Sequence, residues 1–413
     1  MNTYRLMLLG TVAAGFAVMT VVPAVAGDVK KEVTLYGQVS RLVGIQDDGH
    51  STTVNHYGND ITRSLVNIDA TAESENLTIG SRFEWSFDAG LNITEGQSAA
   101  ATTQTMNTNA SRGTQNVRIS DIFFETRYGK LSMGHGESAA MDATNSDLSG
   151  TGTAMSVAEP LSSGMGFVPK LGNWERQAGG TAAATNAGIR VADVLVRHDG
   201  SRSNRVRYDT PRFAGFAAAA SHGQADVGEY RLDYEGELLD TELAAAVAMQ
   251  NASASATQFE RMYLGSISAK HSSGVNLTYA YSVLNQATNA NQGGNGAGDA
   301  ADPGSNTAGR RPTTHYAKLG YSQDFFGLGD TNLAVDWLLT ADGSVGGDRA
   351  VKWGGGVVQN LDAYGVELFA TYENIHYTRG SSFGDRTGTD VSVTNTNGYE
   401  AINAGYIGAK VAF

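Results

Sequence analysis

From Asn76 to Asp88 the side chains alternate in character, with Leu77, Ile79, Phe83, Trp85 and Phe87 at odd positions and Thr78, Gly80, Arg82, Glu84, Ser86 and Asp88 at even ones. A period of two puts these sets on opposite faces of one strand, a pattern that a helix cannot use. The pattern recurs in Thr314–Phe325, where Ala317, Leu319, Tyr321 and Phe325 share a face, and in Asn332–Thr340, where Leu333, Val335, Trp337 and Leu339 oppose Asn332, Ala334, Asp336 and Thr340. Runs of this kind between turn signals predict sixteen strands, starting at about Glu32–Gln46 and Thr62–Ala72 and ending at Ala401–Phe413.

A soluble sandwich also alternates, with its apolar face turned inward. The connections separate the two cases. Glu73–Glu75, Gly129, Pro211–Ala214, Asp240, His271–Gly274, Phe326–Thr331 and Asp362–Gly365 are tight, and those between them are mostly longer, although His222–Gly228 and Asn251–Thr257 barely exceed the turns. An even-stranded meander with tight turns at one end and long loops at the other is the layout of a transmembrane β-barrel.

Composition agrees with this. Charged residues make up 17%, below the usual ~25%, while glycine reaches 51 of 413 and proline only 6. Met1–Ala26 reads as a removable export signal, with Arg5, an apolar stretch from Leu6 to Val22 and a small-x-small site at Ala24-Val25-Ala26. Beyond it no apolar run approaches the ~20 residues that a membrane helix needs. Losing Arg5 with the signal moves the formal charge from −13 to −14, which argues against nucleic acid as a partner. Export with zero cysteines excludes a disulfide scaffold and thiolate-ligated metal.

The chain closes on Tyr406-Ile407-Gly408-Ala409-Lys410-Val411-Ala412-Phe413 with no polar tail. In lipid no backbone group can go unpaired, so a spanning sheet must close and the last strand must pair with the first. Ile407, Ala409, Val411 and Phe413 would then face lipid, and Lys410 and Ala412 the lumen.

Four stretches carry a resemblance: VTLYGQVSRLVG after the signal, RYGKLSMGHGES from Arg127, NRVRYDTPRFAGFAAAAS from Asn204, and the ending itself. In their order and spacing, over essentially the whole mature chain, they resemble the general porins of Gram-negative outer membranes. The resemblance implies an all-β, antiparallel up-and-down barrel of sixteen strands spanning residues 27–413, and a homotrimer in contact with outer-membrane lipid and lipopolysaccharide. Small solutes and ions would diffuse passively through a pore narrowed by an inward-folded third loop. The longest connection, residues 136–203, is the candidate for that loop. The ending is similar to the assembly signal of such barrels, carried here by Tyr406, Gly408, Val411 and Phe413, with valine where a second aromatic residue is common.

A channel sorts solutes by bore and by rings of charge at its narrowest point. On the family pattern the basic cluster falls at Arg63, Arg82 and Arg118; parity adds Arg205 and Arg207, which share a face with Asp209 opposite Val206 and Tyr208. The apolar pattern from Asp121 to Phe124 is too irregular to fix the direction of Arg118. Facing acids are expected at Asp142, Asp147 and Glu159, with Glu84 on the wall, although the family's acid-aromatic-glycine stretch is replaced by AEPLSSGMGF. Solvated positions at the rim are the plainer reading of the arginines. The net charge favours cations weakly, and it is screened within ~8 Å at physiological salt.

No metalloprotease or nucleophile-elbow motif is present, so no enzyme and no cofactor is expected. Asp47-Asp48 offers weak calcium ligands at most, and the GGNGAGDAAD stretch from Gly293 reads as a flexible loop. Tyr36, Tyr128 and Tyr372 are expected in aromatic girdles. The other readings are a substrate-specific channel and a non-conducting structural or enzymatic barrel.

Overall fold

A computed structural model describes residues 29–88, 114–157, 160–167, 189–195, 199–252, 259–286, 311–343, 347–378 and 398–413. Its strands are β1 (Lys30–Asp47), β2 (Thr52–Gly58), β3 (Leu65–Glu73), β4 (Thr78–Asp88), β5 (Thr114–Thr126), β6 (Gly129–Glu137), β7 (Arg202–Asp209), β8 (Phe216–Gly223) and β9 (Val227–Leu238). They continue with β10 (Thr241–Asn251), β11 (Phe259–His271), β12 (Val275–Gln286), β13 (Thr313–Gln323), β14 (Thr331–Ala341), β15 (Arg349–Leu361), β16 (Val366–Thr378) and β17 (Ile402–Ala412).

All seventeen belong to one sheet, each antiparallel to its neighbours, and the sheet closes because β17 pairs with β1 from Gln38 opposite Ala412 to Asp47 opposite Asn403. Phe413 completes the seam, exchanging backbone hydrogen bonds of 2.9 and 3.0 Å with Gly37. The barrel has sixteen staves rather than seventeen. Both β2 and β3 pair with β1, β2 along Arg41–Asp47 and β3 along Lys30–Gln38, so they are two halves of one stave interrupted at 59–64. The predicted strand from Thr62 therefore starts at Leu65, and β2 lies in what the sequence offered as a loop. The connection predicted at 136–203 is slightly shorter, because β6 runs through Glu137 and β7 begins at Arg202.

Direction follows parity. On β14 Leu333, Val335 and Trp337 face outward and are exposed, whereas Ala334, Asp336 and Leu338 face inward and are buried. On β17 Ile407 and Val411 face outward, as does Phe413 just beyond its end, and Ala404 and Tyr406 are buried inside. This inverts a soluble protein, whose large apolar side chains are its most buried ones. An apolar surface encircling the molecule requires hydrocarbon against it. Between β9 and β10 the turn residues Leu239 and Asp240 both have positive φ, 49° and 59°, the mirror-image turn whose twist matches the flanking strands. No helix among the described residues is long and apolar enough to cross a membrane.

Tyr36 lies on the inward parity, its hydroxyl donating to Asp69, and so is not part of the outer girdle. Tyr372 is outward, as expected, with its hydroxyl donating to Asn403 at 2.7 Å.

Candidate functional site: a belt and a wall inside the barrel

After β6 the described residues 138–157 and 160–162 form a belt inside the barrel, tied to one stave after another. The Ala139 and Ala140 amides donate to Ser221 on β8 and Glu229 on β9, at 2.9 and 3.0 Å, and Arg231 donates to the Met141 carbonyl at 2.6 Å. The Ser146 and Leu148 amides donate to Ser266 and Ser268 on β11, and Thr278 on β12 donates to Asp147. Thr153 bonds Glu367 on β16, and Glu373 on the same strand accepts the Leu161 and Ser162 amides at 3.1 Å each. Serine and glutamate side chains point inward on these staves and supply the backbone of a second layer of chain with partners.

The strongest tie is Lys318 on β13. Its ammonium, wholly buried, donates to Asp147 at 2.6 Å, to Thr151 at 3.0 Å and to the Met155 carbonyl at 2.8 Å. Burial would push the Asp147 carboxyl up, but the adjacent Lys318 charge and hydrogen bond outweigh it and hold Asp147 below the ordinary carboxylate range. Beyond the belt, the turn α1 (Val191–Val194) and Phe167 pack with Tyr316, Leu338, Ile375 and Ile402 into an apolar cluster against β13–β17. One side of the lumen is thereby filled.

Among the described residues the other side stays open. A cavity of about 550 Å³ lies between the belt and the arc of wall from β16 through β1 to β7. Arg63, Arg118 and Arg202 line it from the wall, Asp142 and Asp147 from the belt, and Lys410 pairs with Glu367 at its far side. Arg118 gets there through a bulge, since Glu84 pairs with Ile119 while the next residue, Trp85, pairs with Val117. The extra residue turns both Arg118 and Ile119 inward, and Arg118 meets Glu84 at 2.5 Å. That bulge is the cause of the irregular sequence pattern.

The remaining candidates take other places. Arg205 is buried in an ion pair with Asp121 at 2.7 Å and donates to the Glu137 carbonyl at 2.9 Å. Arg207 pairs with Asp209 and donates to the Ser138 carbonyl at 2.8 Å. Both face the lumen, as parity predicts, but they root the belt instead of lining the cavity. Arg82 also faces inward, opposite Asp69 and Asp121 in register and outside the cavity lining. Glu159 and the Gly293 stretch lie outside the described residues. Asp47 and Asp48 accept the amides of Gly49, His50 and Ser51 and so shape the β1–β2 turn. At the terminus, Tyr406 points inward and bonds Gln46 and Ser162, while Val411 and Phe413 remain on the outer face.

Sequence reasoning missed Arg202, which pairs with Glu137 at 3.1 Å. A count of two from Arg205 and Arg207 assigns it to the opposite face, so no local signal marked it. It also missed Lys318 and Glu373 as anchors, although parity places both inside.

Closed sheet, apolar exterior and belted aqueous interior together define a transmembrane diffusion channel. A sequence model of the Gram-negative porin family matches residues 10–380, and the chain belongs to that family. Among solved structures it is similar to the anion-selective porin from Comamonas acidovorans, at 16% identity and a TM-score of 0.55, covering 93% of this chain and 100% of that one. It is also similar to the outer membrane channel DcaP of Acinetobacter baumannii, at 11% identity and a TM-score of 0.52, covering 95% and 99%. A third likeness is to OmpF of Salmonella typhi in complex with daunomycin, at 11% identity and a TM-score of 0.50, covering 92% and 97%. No curated protein sequence matches significantly. The chain is thus an outer-membrane porin through which small hydrophilic solutes and ions diffuse passively.

Proposed function

We propose that the cavity between belt and wall is the constriction, and that the pore discriminates by size and dipole more than by the sign of an ion. The carrying observation is the pairing of its charges. Arg118 is joined to Glu84, Arg202 to Glu137 and Lys410 to Glu367, so bases and acids meet at the lining as partners rather than as a ring of one sign. Arg63 on the wall and Asp142 on the belt add a field across the bore, which orients dipolar solutes.

A homotrimer embedded in outer-membrane lipid and lipopolysaccharide is part of the same reading. Arg41 occupies the outward parity of β1 between the exposed Val39 and Val43, 3.4 Å from His56 of β2. A charge on the outer face costs ~2–4 kcal/mol against lipid at midplane, and a second copy of the chain against this sector removes the cost. The reading assigns the protein no catalysis, no cofactor and no nucleic-acid partner, and it puts the assembly signal at Tyr406, Gly408, Val411 and Phe413.

Reversal potentials across a planar bilayer in a salt gradient test the constriction. The native pore is expected to sit near zero, Asp142→Arg to move it toward anion preference and Arg63→Glu toward cations. Potentials unmoved by both substitutions would place the constriction elsewhere, and currents that saturate with one solute would favour a substrate-specific channel.

A further inference from the structure

The interruption between β2 and β3 carries an inference that rests on the constriction proposed above. Two residues of β1, Val39 and Ser40, separate the part that pairs with β2 from the part that pairs with β3, yet six residues, 59–64, span the same gap on the opposite stave. The surplus has to leave the wall. All four of Asp60, Ile61, Thr62 and Arg63 line the cavity. In a regular strand successive residues turn to opposite sides of the wall, so four consecutive residues at the lining mark a departure from the strand. The segment therefore bends inward as a unit.

It is also built to stay there. The buried Asn59 accepts the Ile61 and Thr62 amides on its side-chain oxygen, at 2.9 and 3.2 Å, closing a local turn. Its amide nitrogen donates at 2.9 Å to the Thr153 carbonyl of the belt. Gln38 of β1 donates to the carbonyls of Thr62 and Arg63, at 3.4 and 3.0 Å, and the Ser40 amide donates to Ser64 at 3.1 Å. Ile61 packs against the apolar cluster around Leu42, Met155 and Leu161.

We propose that residues 59–64 are a second jaw of the constriction: an inward fold of the wall, locked to the belt through Asn59, that sets the bore and carries Asp60 and Arg63 as residues determining which solutes pass. Asn59 acts as a positioning residue, since its contacts are to backbone on both sides.

The chain has no cysteine, so single cysteines report without background. Asp60→Cys, Ile61→Cys, Thr62→Cys and Arg63→Cys are each incorporated into a bilayer and treated with a charged, water-soluble methanethiosulfonate. All four are expected to react and to lower the single-channel conductance in steps. Reaction at alternate positions only, or at all four without a change in current, overturns the proposal. Cysteines at Arg118 and Asp142 keep the two readings apart: if they block and the jaw cysteines do not, the constriction stands and the jaw falls, and if none blocks, the constriction itself is misplaced. A chain in which 59–64 is replaced by two residues, making the stave continuous, is expected to conduct roughly twofold better. An unchanged conductance in that folded variant counts against the jaw. Asn59→Ala, which keeps the stave length, is expected to broaden the open-channel current, and a current as quiet as the native one counts against the lock.

Discussion

Lys318→Met tests how the belt is held. The substitution keeps the stem of the side chain and removes an ammonium that donates to Asp147, Thr151 and the Met155 carbonyl inside the barrel. Taking one partner from a buried ion pair costs ~3–5 kcal/mol, because the remaining charge stays desolvated. Asp147 keeps the Ser149 amide at 3.0 Å and the Ser149 hydroxyl at 2.9 Å, which places the cost near the lower end of that range. About 3 kcal/mol corresponds to roughly two powers of ten in a local opening equilibrium. The readout is amide hydrogen exchange of the belt in micelles, with the barrel strands as internal reference. Exchange across residues 146–155 is expected to accelerate about a hundredfold while β13 and β14 remain unaffected. The double variant Lys318→Met with Asp147→Leu removes both charges and is expected to recover most of the protection, since apolar replacement of a buried pair is often neutral. Native protection in the single variant would refute the role given to Lys318.

The same pair fixes a pH dependence. Because the Asp147 carboxyl is held below its usual range by Lys318, its contribution is fully present above pH ~3.8 and is lost only as pH falls through the lower folded value; exchange corrected for intrinsic rates should stay flat from neutral pH to about pH 4 and rise below it. A rise beginning near pH 6 would contradict this. Val335→Arg puts a charge on the outer face of β14 and should lower folding stability in bilayers by ~2–4 kcal/mol, whereas Ala217→Ser on the inner face of β8, opposite Asp233, should cost far less; equal costs would disprove the assigned faces. Deleting Phe413 removes both hydrogen bonds to Gly37 and opens the seam at its end, so the yield of heat-modifiable barrel on refolding should fall; an unchanged yield would show that the terminal residue is dispensable.

The staves were legible because a surface between hydrocarbon and water imposes a dominant period of two along β4, β13 and β14, interrupted only at single positions such as Ser81 outside and Leu338 inside. What escaped were places where the backbone departs from that period. The bulge at Arg118 shifts parity by one, the break at 59–64 hides a short strand on one side and an inward fold on the other, and Arg202 reaches the cavity from a position that parity turns away. The belt was legible only as length. Its course depends on ties such as Asp147 to Lys318, which are 171 positions apart in sequence and have no local signature.

The most direct measurement is the current through the purified protein in a planar lipid bilayer. A water path bounded by belt and wall gives discrete, ohmic conductance steps, stable in time and smaller than those of a chain from which the belt has been excised. A bilayer that stays silent over repeated insertions, or steps of the same size with and without the belt, would contradict an open channel narrowed by its third loop.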